Sequence, residues 1–331
     1  MPRRIVAVLG AGFSKPAGGP LLRDLLEPSW IARSDLTGSE QSLLSVLGQT
    51  LAGPNRASAS SSVEGLFTDI WIRAKTGGKL SLPQGDYKGE YLLGILQRHL
   101  ASLTRHVHLR RGSETWRDYK EFFEKSAHRS RQLTVVSFNY DLLGEQILDD
   151  AGLRYDFGDV PDIRIDSGGR KAALTRCGSE VSLLKLHGSI AWGVCHGCRS
   201  AEEARDVASI FEEPYIPRHR RSCPYCSNGL LDPGLVPPVI GKAGEIGYKY
   251  GLWERARRAL GRSTEIVVIG YSLPSTDPEA RSLLSDGSSS PDLSKVTIIC
   301  GPRGASETMR EVFPTATDAH LTFEGYLAQR R

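Results

Sequence analysis

The chain has 331 residues, of which 40% are hydrophobic and 24% charged, and its formal net charge is only +4. This composition is typical of a soluble globular protein, and the length allows one large domain or two ordinary ones. We interpret the arginine clusters at 217–221 and 253–258 as a solvated face and a helix stripe, so no direct nucleic-acid binding is expected. No apolar stretch approaches membrane-spanning length, and no membrane partner is expected.

The N-terminus and the cysteines both indicate a cytoplasmic protein. Arg3 and Arg4 precede an apolar run, as in a signal peptide, but the run ends at Gly10 and no small-residue cleavage site follows. Four of the six cysteines fall into two C-x-x-C pairs. That pattern is typical of a metal site rather than of a secreted disulfide framework.

Five apolar runs predict the strands of a parallel sheet. In chain order they are Ile5–Leu9, Leu133–Phe138, Leu183–Leu186, Glu265–Ile269 and Lys295–Cys300. Polar or glycine residues follow each run, and ligands of open α/β sheets bind at these carboxyl ends. The predicted fold class is therefore α/β, a Rossmann-like doubly wound parallel sheet with a helical insertion and a small zinc-binding module.

The segments between the strands predict the organisation of a single domain over 1–331. We expect the Rossmann-like core at about 1–35, 131–192 and 231–331, the helical insertion at about 36–130 and the four-cysteine zinc module at about 193–230. The insertion contains no convincing strand run and predicts helices at 62–71 and 91–103. Composition predicts loops at 57–62, 75–79 and 285–291, the last of them mobile.

The first strand is followed by Gly10, Ala11, Gly12, Phe13 and Ser14. A G-x-G turn after a strand lets the backbone approach a pyrophosphate, whose charge the next helix N-terminus can stabilise. The full G-x-G-x-x-G of dehydrogenases is absent because position 15 is lysine, and no acidic residue follows a second strand at the spacing used to bind a ribose. Taken alone, the glycines fit a nucleotide site and a tight strand–helix turn equally well.

Three further motifs follow predicted strands in order. They are Ser137-Phe-Asn-Tyr-Asp141, Leu186-His-Gly-Ser189, and Gly270-Tyr-Ser-Leu-Pro274 with Asp277. Together with the glycine loop and the cysteines, they resemble the SIR2 (sirtuin) superfamily. More narrowly, they resemble its bacterial SIR2-like branch, in which NYD replaces the N-I-D of deacetylases and GYSLP-x-x-D replaces their G-T-S-L. The resemblance runs from Ile5 to about Pro302 and is weakest over the helical insertion.

The resemblance implies an NAD+ site and a role for each of its residues. Asn139 holds a water and a ribose hydroxyl, Asp141 helps to hold the nicotinamide carboxamide, and His187 is the general base. A neutral imidazole near pH 7 suits proton removal from a ribose hydroxyl or water. The other residues implied in NAD+ binding are Gly10, Ala11, Gly12, Phe13, Ser14, Pro20, Arg23, Gly270, Tyr271, Ser272 and Cys300.

Several of these residues also have a purely structural interpretation. Asn139 and Asp141 can cap the helix that begins near Leu142, and Ser14 can be an N-cap. A lone histidine at the end of an apolar strand, such as His187, is usually a hydrogen-bonded structural residue. Ser272 fits an ordinary strand-end turn, and Cys300 fits a small buried hydrophobe.

Four cysteines give the strongest single signal. Cys195 and Cys198 form one C-x-x-C pair, Cys223 and Cys226 form the other, and 24 residues separate the two pairs. Four thiolates complete a closed tetrahedral zinc site, which predicts a structural rather than a catalytic ion. His196 and His219 are possible substitute ligands, and the alternatives to zinc are unrelated cysteines or a redox pair.

Two departures from the sirtuin pattern bear on the reaction. The Asp-Phe pair that precedes the family's arginine is Leu21-Leu22 here, so the phenylalanine that shields the reactive carbon is missing. The segment after the zinc module, Gly234–Ile240, keeps its start and Pro237 but loses the arginine and the Phe-Gly-Glu that help to form a peptide groove. The peptide-specific parts have diverged, and the NAD-specific parts persist.

These departures favour NAD+ hydrolysis, or ADP-ribosyl transfer, over deacylation. An NAD+-dependent lysine deacylase is the alternative, and a non-catalytic NAD-binding sensor is the third reading. The resemblance implies a role in anti-phage defence, with regulation by homo-oligomerisation or by a partner protein of the defence system.

Overall fold

The apolar runs of the sequence form a central parallel sheet. The computed structural model describes residues 3–52, 62–158, 163–165, 171–173, 178–195, 197, 201–203, 223, 226, 231–241, 251–301 and 305–330. The strands are β1 (Arg4–Leu9), β2 (Lys79–Leu82), β3 (Gly85–Lys88), β4 (Gln132–Ser137), β5 (Tyr155–Asp156), β6 (Ile163–Ile165), β7 (Lys171–Ala173), β8 (Val181–Lys185), β9 (Gly188–Cys195), β10 (Ala201–Glu203), β11 (Leu231–Leu235), β12 (Glu265–Ile269), β13 (Lys295–Ile299) and β14 (Thr317–Asp318).

Helices connect most of these strands. They are α1 (Ala11–Ser14), α2 (Pro28–Ile31), α3 (Gly38–Ala52), α4 (Val63–Thr76), α5 (Gly89–Arg105), α6 (Glu114–Arg129), α7 (Leu143–Asp150), α8 (Leu252–Leu260), α9 (Pro278–Ser288), α10 (Ala305–Val312) and α11 (Phe323–Ala328). Two short 3₁₀ turns, Lys15–Ala17 and Leu22–Asp24, follow β1. None of the described helices combines the length and the apolar character needed to cross a bilayer.

The main sheet has seven strands in the order β14-β13-β12-β1-β4-β8-β5, and all of its pairings are parallel. From β1 the chain builds β4 and β8 on one side and later β12, β13 and β14 on the other, which is a doubly wound order. β12 is buried along its whole length, as expected for a parallel strand covered on both faces. The predicted fold class is confirmed, and β12 has the predicted bounds.

A second apolar core lies beside the sheet and contains residues of α3, α4 and α5. Leu44, Phe67 and Leu96 are fully buried there, together with Leu235 at the end of β11. The next helix, α6, lies within the segment predicted as a helical insertion, but its buried Tyr119 belongs to the core of the main sheet.

The helical segment contains a hairpin that the sequence analysis did not predict. Strands β2 and β3 pair antiparallel, with Leu80 opposite Tyr87, across the turn at Pro83 and Gln84. Both strands are largely exposed, so their sequence lacks the apolar run by which buried strands are recognised. Of the predicted loop at 75–79, only 77–78 lies between α4 and β2.

The prediction of a loop at 285–291 is wrong for 285–288, which are helical, and residues 289–291 lie after the helix. Helix α9 continues to Ser288, and Asp286 accepts a hydrogen bond from the Arg257 side chain at 2.7 Å. Gly287 is buried against Leu260 of α8, where an added Cβ would lie 3.0 Å from the leucine Cβ. The composition of this segment is typical of a loop, but packing of α9 against α8 stabilises it as a helix up to Ser288. The predicted loop at 57–62 lies outside the described residues except for Ser62, which caps α4.

The loops after β1 and β12 approach each other too closely for side chains. Gly270 has a φ of +63°, and a Cβ added to it would lie 2.5 Å from the Cα of Gly12 and closer still to the Phe13 amide. Gly12 donates its N–H to the Gly270 carbonyl at 2.8 Å. The glycines are therefore required by the contact between two loops, whatever ligand they also approach.

We expect Gly270→Ala to destabilise the protein by about 3 kcal/mol or more. An alanine at this position is strained by the left-handed backbone conformation, and its Cβ clashes with neighbouring backbone atoms. Gly112→Ala is the matched control, since Gly112 also has a positive φ of +80° but no atom within 4 Å of an added Cβ. Its expected cost is about 1 kcal/mol. Urea unfolding measures both values, and equal losses would contradict the close-approach explanation.

Candidate active site

A large cleft lies at the carboxyl ends of the central strands. Its volume is about 1670 Å³, and the loops after β1, β4, β8, β12 and β13 all contribute to its wall. The predicted site residues that line it are Ala11, Gly12, Ser14, Pro20, Arg23, Asn139, Asp141, His187, Gly270, Tyr271, Ser272 and Cys300. Topology thus brings together residues that are separated by nearly the whole length of the chain.

Two of the predicted residues do not line the cleft. Gly10 lies beneath it and accepts a hydrogen bond from Asn139 through its carbonyl. The ring of Phe13 is 1% exposed and packs in the core against Tyr119 and Phe323, with ring centroids 5.0 and 5.7 Å away. The side chain of Phe13 therefore packs in the core and does not line the cleft.

Asn139 is held rigidly behind the first loop. Its Nδ2 donates to the Gly10 carbonyl at 2.9 Å and to the Ser14 hydroxyl at 3.0 Å. Both amide hydrogens are used in this way, which leaves Oδ1 to accept a hydrogen bond from a group in the cleft. Ser14 occupies the N-cap position of the 3₁₀ turn Lys15–Ala17, as the capping interpretation expected, but its side chain makes no capping hydrogen bond.

Asp141 combines a structural contact with a place in the cleft wall. The N-cap of α7 is Leu142 and not Asp141, but Asp141 Oδ1 accepts the N–H of Leu143, the first residue of the helix, at 3.0 Å. The Asp141 carbonyl accepts a hydrogen bond from Lys185 Nζ at 2.5 Å, and the same Nζ lies 2.6 Å from Glu145 Oε1. Lys185 is 1% exposed, so a buried ion pair lies directly behind Asp141. Sequence analysis did not single out this pair.

His187 is the second residue of the two-residue turn between β8 and β9, and 8% of its side chain is exposed. Its Nε2 is 3.5 Å from Oδ2 of Asp277, a carboxylate on the loop that follows β12. The rings of Phe138, Tyr140 and Trp253 surround the imidazole, with centroids 5.2 to 6.3 Å away. The histidine is thus enclosed by aromatic rings on several sides and faces an acid.

Asp277 is a cleft residue that the sequence analysis quoted in a motif but did not include among the site residues. It also accepts a hydrogen bond from the Tyr271 hydroxyl at 3.1 Å. Burial raises the pKa of both Tyr271 and Tyr140 well above the ordinary value, and the nearby Asp277 charge raises it further. Both phenols therefore stay protonated and can act only as neutral hydrogen-bonding groups near neutral pH.

Leu21 and Leu22, which stand where the sirtuin pattern has an Asp-Phe pair, line the cleft. Their turn is closed by Asp24, whose carboxylate accepts the Leu21 N–H at 2.8 Å. The Arg23 side chain is 76% exposed and is 3.7 Å from Asp24, so it is available to an anionic ligand at the mouth of the cleft.

The wall after β12 and β13 contains Ser272 and Cys300. Ser272 is exposed, whereas Cys300 is half-buried and donates its thiol to the Tyr271 carbonyl at 3.2 Å. Burial raises the pKa of the Cys300 thiol to about 11. The thiol is therefore protonated at neutral pH, which fits a packing residue of the cleft wall and not a nucleophile.

Three of the four predicted metal ligands come together away from the cleft. Donor atoms of Cys195, Cys223 and Cys226 all lie within 4.8 Å of one another, and Cys198 is outside the described residues. The Sγ atoms of Cys195 and Cys226 are 3.8 Å apart. A tetrahedral site with metal–sulfur bonds of about 2.3 Å has sulfur–sulfur edges of about 3.8 Å, so these thiols fit a tetrahedral metal ion. A disulfide would need about 2.05 Å.

The fold and the site define an α/β protein with a parallel sheet, a carboxyl-end cleft containing a buried histidine, and a cysteine cluster able to hold a metal. No family model and no curated relative matches the chain. Among solved structures the chain is similar to a sirtuin from a study of the structural basis of sirtuin substrate affinity (12% identity, TM-score 0.44). It is also similar to Sir2 with a p53 peptide and NAD+ (13% identity, TM-score 0.42). Each match covers 99% of this chain and 92% of the other. At these values the likeness concerns the fold alone.

Proposed function

We propose that this chain is a SIR2-like enzyme that consumes NAD+, and that its reaction is hydrolysis of NAD+ to nicotinamide and ADP-ribose. The observation that carries the proposal is the meeting of Asn139 and His187 in one cleft beside the Gly10–Ser14 loop. The cleft, at about 1670 Å³, exceeds the ~300–1,000 Å³ of ordinary ligand pockets and has room for a dinucleotide.

The chemistry needs few protein groups. The bond between the nicotinamide nitrogen and ribose C1′ breaks, nicotinamide leaves with the bonding electrons, and C1′ gains oxocarbenium character. Water adds to C1′ and loses a proton, which His187 accepts as general base. Asn139 Oδ1 accepts a hydrogen bond from the water or from a ribose hydroxyl, since its two N–H groups are held by Gly10 and Ser14.

The entrance region supports water as the attacking group. In sirtuins a phenylalanine shields the reactive carbon, whereas Leu21 and Leu22 line the corresponding part of this cleft. A leucine side chain has no planar ring to cover the sugar. Access of water to C1′ then yields free ADP-ribose instead of transfer to an acyl group.

The segment 236–240 argues against the deacylase alternative. A bound peptide adds to a protein strand through backbone hydrogen bonds. Here Val236 donates its N–H to the His187 carbonyl at 2.9 Å, and Ile240 donates to the Thr68 hydroxyl at 2.9 Å. Val239 donates to a carbonyl within the segment, and positions 237 and 238 are prolines without an N–H. This segment has no backbone donor left for an acyl-lysine peptide.

We further propose that the cysteine cluster binds one structural zinc ion and that Cys198 is its fourth ligand. Four thiolates leave no open position, so the zinc stabilises its module and performs no chemistry. As the resemblance implies, we place the enzyme in anti-phage defence, in the cytoplasm, controlled by homo-oligomerisation or a partner chain.

The zinc proposal predicts about one zinc per chain by elemental analysis of carefully prepared protein. Cys223→Ser is expected to lose the metal, because one thiolate of four is removed. Cys300→Ser is the matched control and should keep the metal, since Cys300 bonds to Tyr271 and is not part of the cluster. Wild-type protein with well under one metal per chain would contradict the proposal.

Incubation of the purified protein with NAD+ tests the proposed reaction and separates it from its alternatives. Release of nicotinamide and ADP-ribose without any peptide supports hydrolysis. Turnover that strictly requires an acetyl-lysine peptide, with loss of the acetyl group, would replace the proposal by deacylation. Binding of NAD+ without turnover, in the presence or absence of peptide, would favour a sensor.

A further inference from the structure

We infer that Asp277 is a positioning residue for His187: it holds the imidazole as the Nε2–H tautomer, so that Nδ1 is the atom that accepts the proton. The inference rests on the proposed function for its catalytic consequence. The geometry that carries it is the approach of His187 Nε2 to within 3.5 Å of Asp277 Oδ2, with both side chains almost fully buried.

The carboxylate of Asp277 is fixed independently of the histidine. Its Oδ1 accepts the N–H of Ala280 at 3.2 Å as the N-cap of α9, and its Oδ2 accepts the Tyr271 hydroxyl at 3.1 Å. Asp277 is 2% exposed. A carboxylate oriented by two other bonds in a buried site is a rigid acceptor, and an imidazole N–H facing it is held in one orientation.

Helix capping by Asp277 does not by itself explain the conformation of the loop between β12 and α9. An N-cap aspartate followed by Pro278 is a common start for a helix and needs no partner upstream. The loop also contains Leu273, which is buried with a φ of +49°, a strained conformation for a branched side chain. This strained turn lies between Tyr271 and Asp277, the two residues that meet beside His187.

The aromatic surroundings restrict the imidazole further. Phe138 stacks on Tyr271 with ring centroids 4.1 Å apart and meets His187 edge-on at 5.2 Å. Trp253 and Tyr140 lie on other sides of the ring. The rings thus confine the imidazole in a position where its Nε2 lies 3.5 Å from the Asp277 carboxylate.

The positioning has a chemical consequence. A neutral imidazole accepts a proton only through its unprotonated nitrogen, so the two tautomers present different atoms to the substrate. With the Nε2 proton directed at Asp277, Nδ1 has the lone pair for the ribose hydroxyl or water. The imidazolium formed after proton transfer is then stabilised by the same carboxylate.

Asp277→Asn is a sharp test because asparagine preserves the cap and the size of the side chain. The asparagine oxygen is needed by the Ala280 N–H, so its NH₂ group faces His187 Nε2 and donates to it. That contact forces the proton onto Nδ1. We expect ¹⁵N NMR of histidine-labelled protein to show Nε2–H for His187 in the wild type and Nδ1–H in the variant. We expect kcat for nicotinamide release to fall about 10- to 100-fold with little change in KM.

Ser113→Ala provides the control for loss of a helix cap. Ser113 caps α6 by accepting the Trp116 N–H at 3.1 Å and does not line the cleft. Both the tautomer and kcat are expected to stay as in the wild type. If Ser113→Ala changed them as Asp277→Asn does, general destabilisation would replace positioning as the explanation.

The two readouts separate this inference from the proposed function. A wild-type spectrum with His187 as Nδ1–H would overturn the inference, and this measurement requires neither turnover nor a folded variant. An unchanged tautomer in Asp277→Asn, or an altered tautomer with unchanged kcat, would also overturn it. If the wild type released no nicotinamide, the proposed function would fail, whereas Nε2–H in the wild type and a switch in the variant would still support the positioning.

Discussion

Replacing His187 with alanine is expected to abolish release of nicotinamide from NAD+, and Asn139→Ala is expected to do the same. In the proposed mechanism His187 is a general base, a role that contributes about 10² to 10⁴ in rate, and the Asn139 amide orders the attacking water in the same step. The losses should appear in kcat, measured as free nicotinamide by chromatography, because neither change removes the Gly10–Ser14 loop that would hold the rest of the dinucleotide.

Both variants must be compared with a folded control. Asn139→Ala loses the hydrogen bonds to Gly10 and Ser14, at a cost of about 1–3 kcal/mol, so its thermal unfolding should be measured beside its activity. His128→Ala removes an exposed histidine of α6 and should leave the rate unchanged. Full activity in either site variant would refute the assignment of the site.

The second large effect concerns stability and the buried pair behind the cleft. Lys185→Met leaves Glu145 buried without its cation, and breaking such a pair costs about 3–5 kcal/mol. The variant also leaves the Asp141 carbonyl without its donor. We expect a clear drop in the free energy of unfolding by urea at neutral pH. The double variant Lys185→Met with Glu145→Leu should recover most of it, because no unpaired charge remains.

The loss should depend on pH in a defined direction. Burial already raises the pKa of Glu145 in the wild type, and removal of Lys185 takes away the main opposing influence. A carboxyl group with a raised pKa in the folded state binds more protons there than in the unfolded state, so stability falls as pH rises through that pKa. Lys185→Met should therefore be less destabilised at about pH 5 than at about pH 8. A loss independent of pH would show that charge burial is not its cause.

The sheet could be predicted from sequence because each of its main strands is encoded locally. β1, β4 and β12 are runs of β-branched and leucine residues buried on both faces, and burial on both faces is what makes such a run recognisable. The β2–β3 hairpin lacks this signal because its strands are exposed. The end of α9 depends on packing against α8, a contact that composition does not report.

The glycines after β1 show the limit of motif reasoning. Their pattern fitted a nucleotide loop and a tight turn equally well, and the structure supplies a complete packing reason for Gly12 in its contact with Gly270. That contact does not remove the nucleotide interpretation, because the same loop also lines the cleft. The glycine spacing therefore indicated where another group approaches the backbone closely. It did not indicate whether that group is a neighbouring loop or a nucleotide.

Site residues that belong to a recognisable motif could be predicted from the sequence. Contacts between residues that are far apart in the chain could not. Asn139 and His187 follow strands and were identified from their motifs, but the pairing of His187 with Asp277 joins residues far apart in the chain. Lys185 ends a buried strand, and nothing local distinguishes it from an exposed strand-end lysine. Its partner Glu145 lies on the first turn of α7. Contacts of this kind follow from strand order, which a single sequence does not encode locally.

A crystal structure of the His187→Ala variant with NAD+ would test the proposed NAD+ site. The variant should bind NAD+ without consuming it, because the proposed base is removed and the rest of the cleft wall is kept. We expect the dinucleotide in the cleft between the loops after β1 and β12, with the nicotinamide ribose beside Asn139. An empty cleft at saturating NAD+, or NAD+ bound elsewhere on the protein, would contradict it.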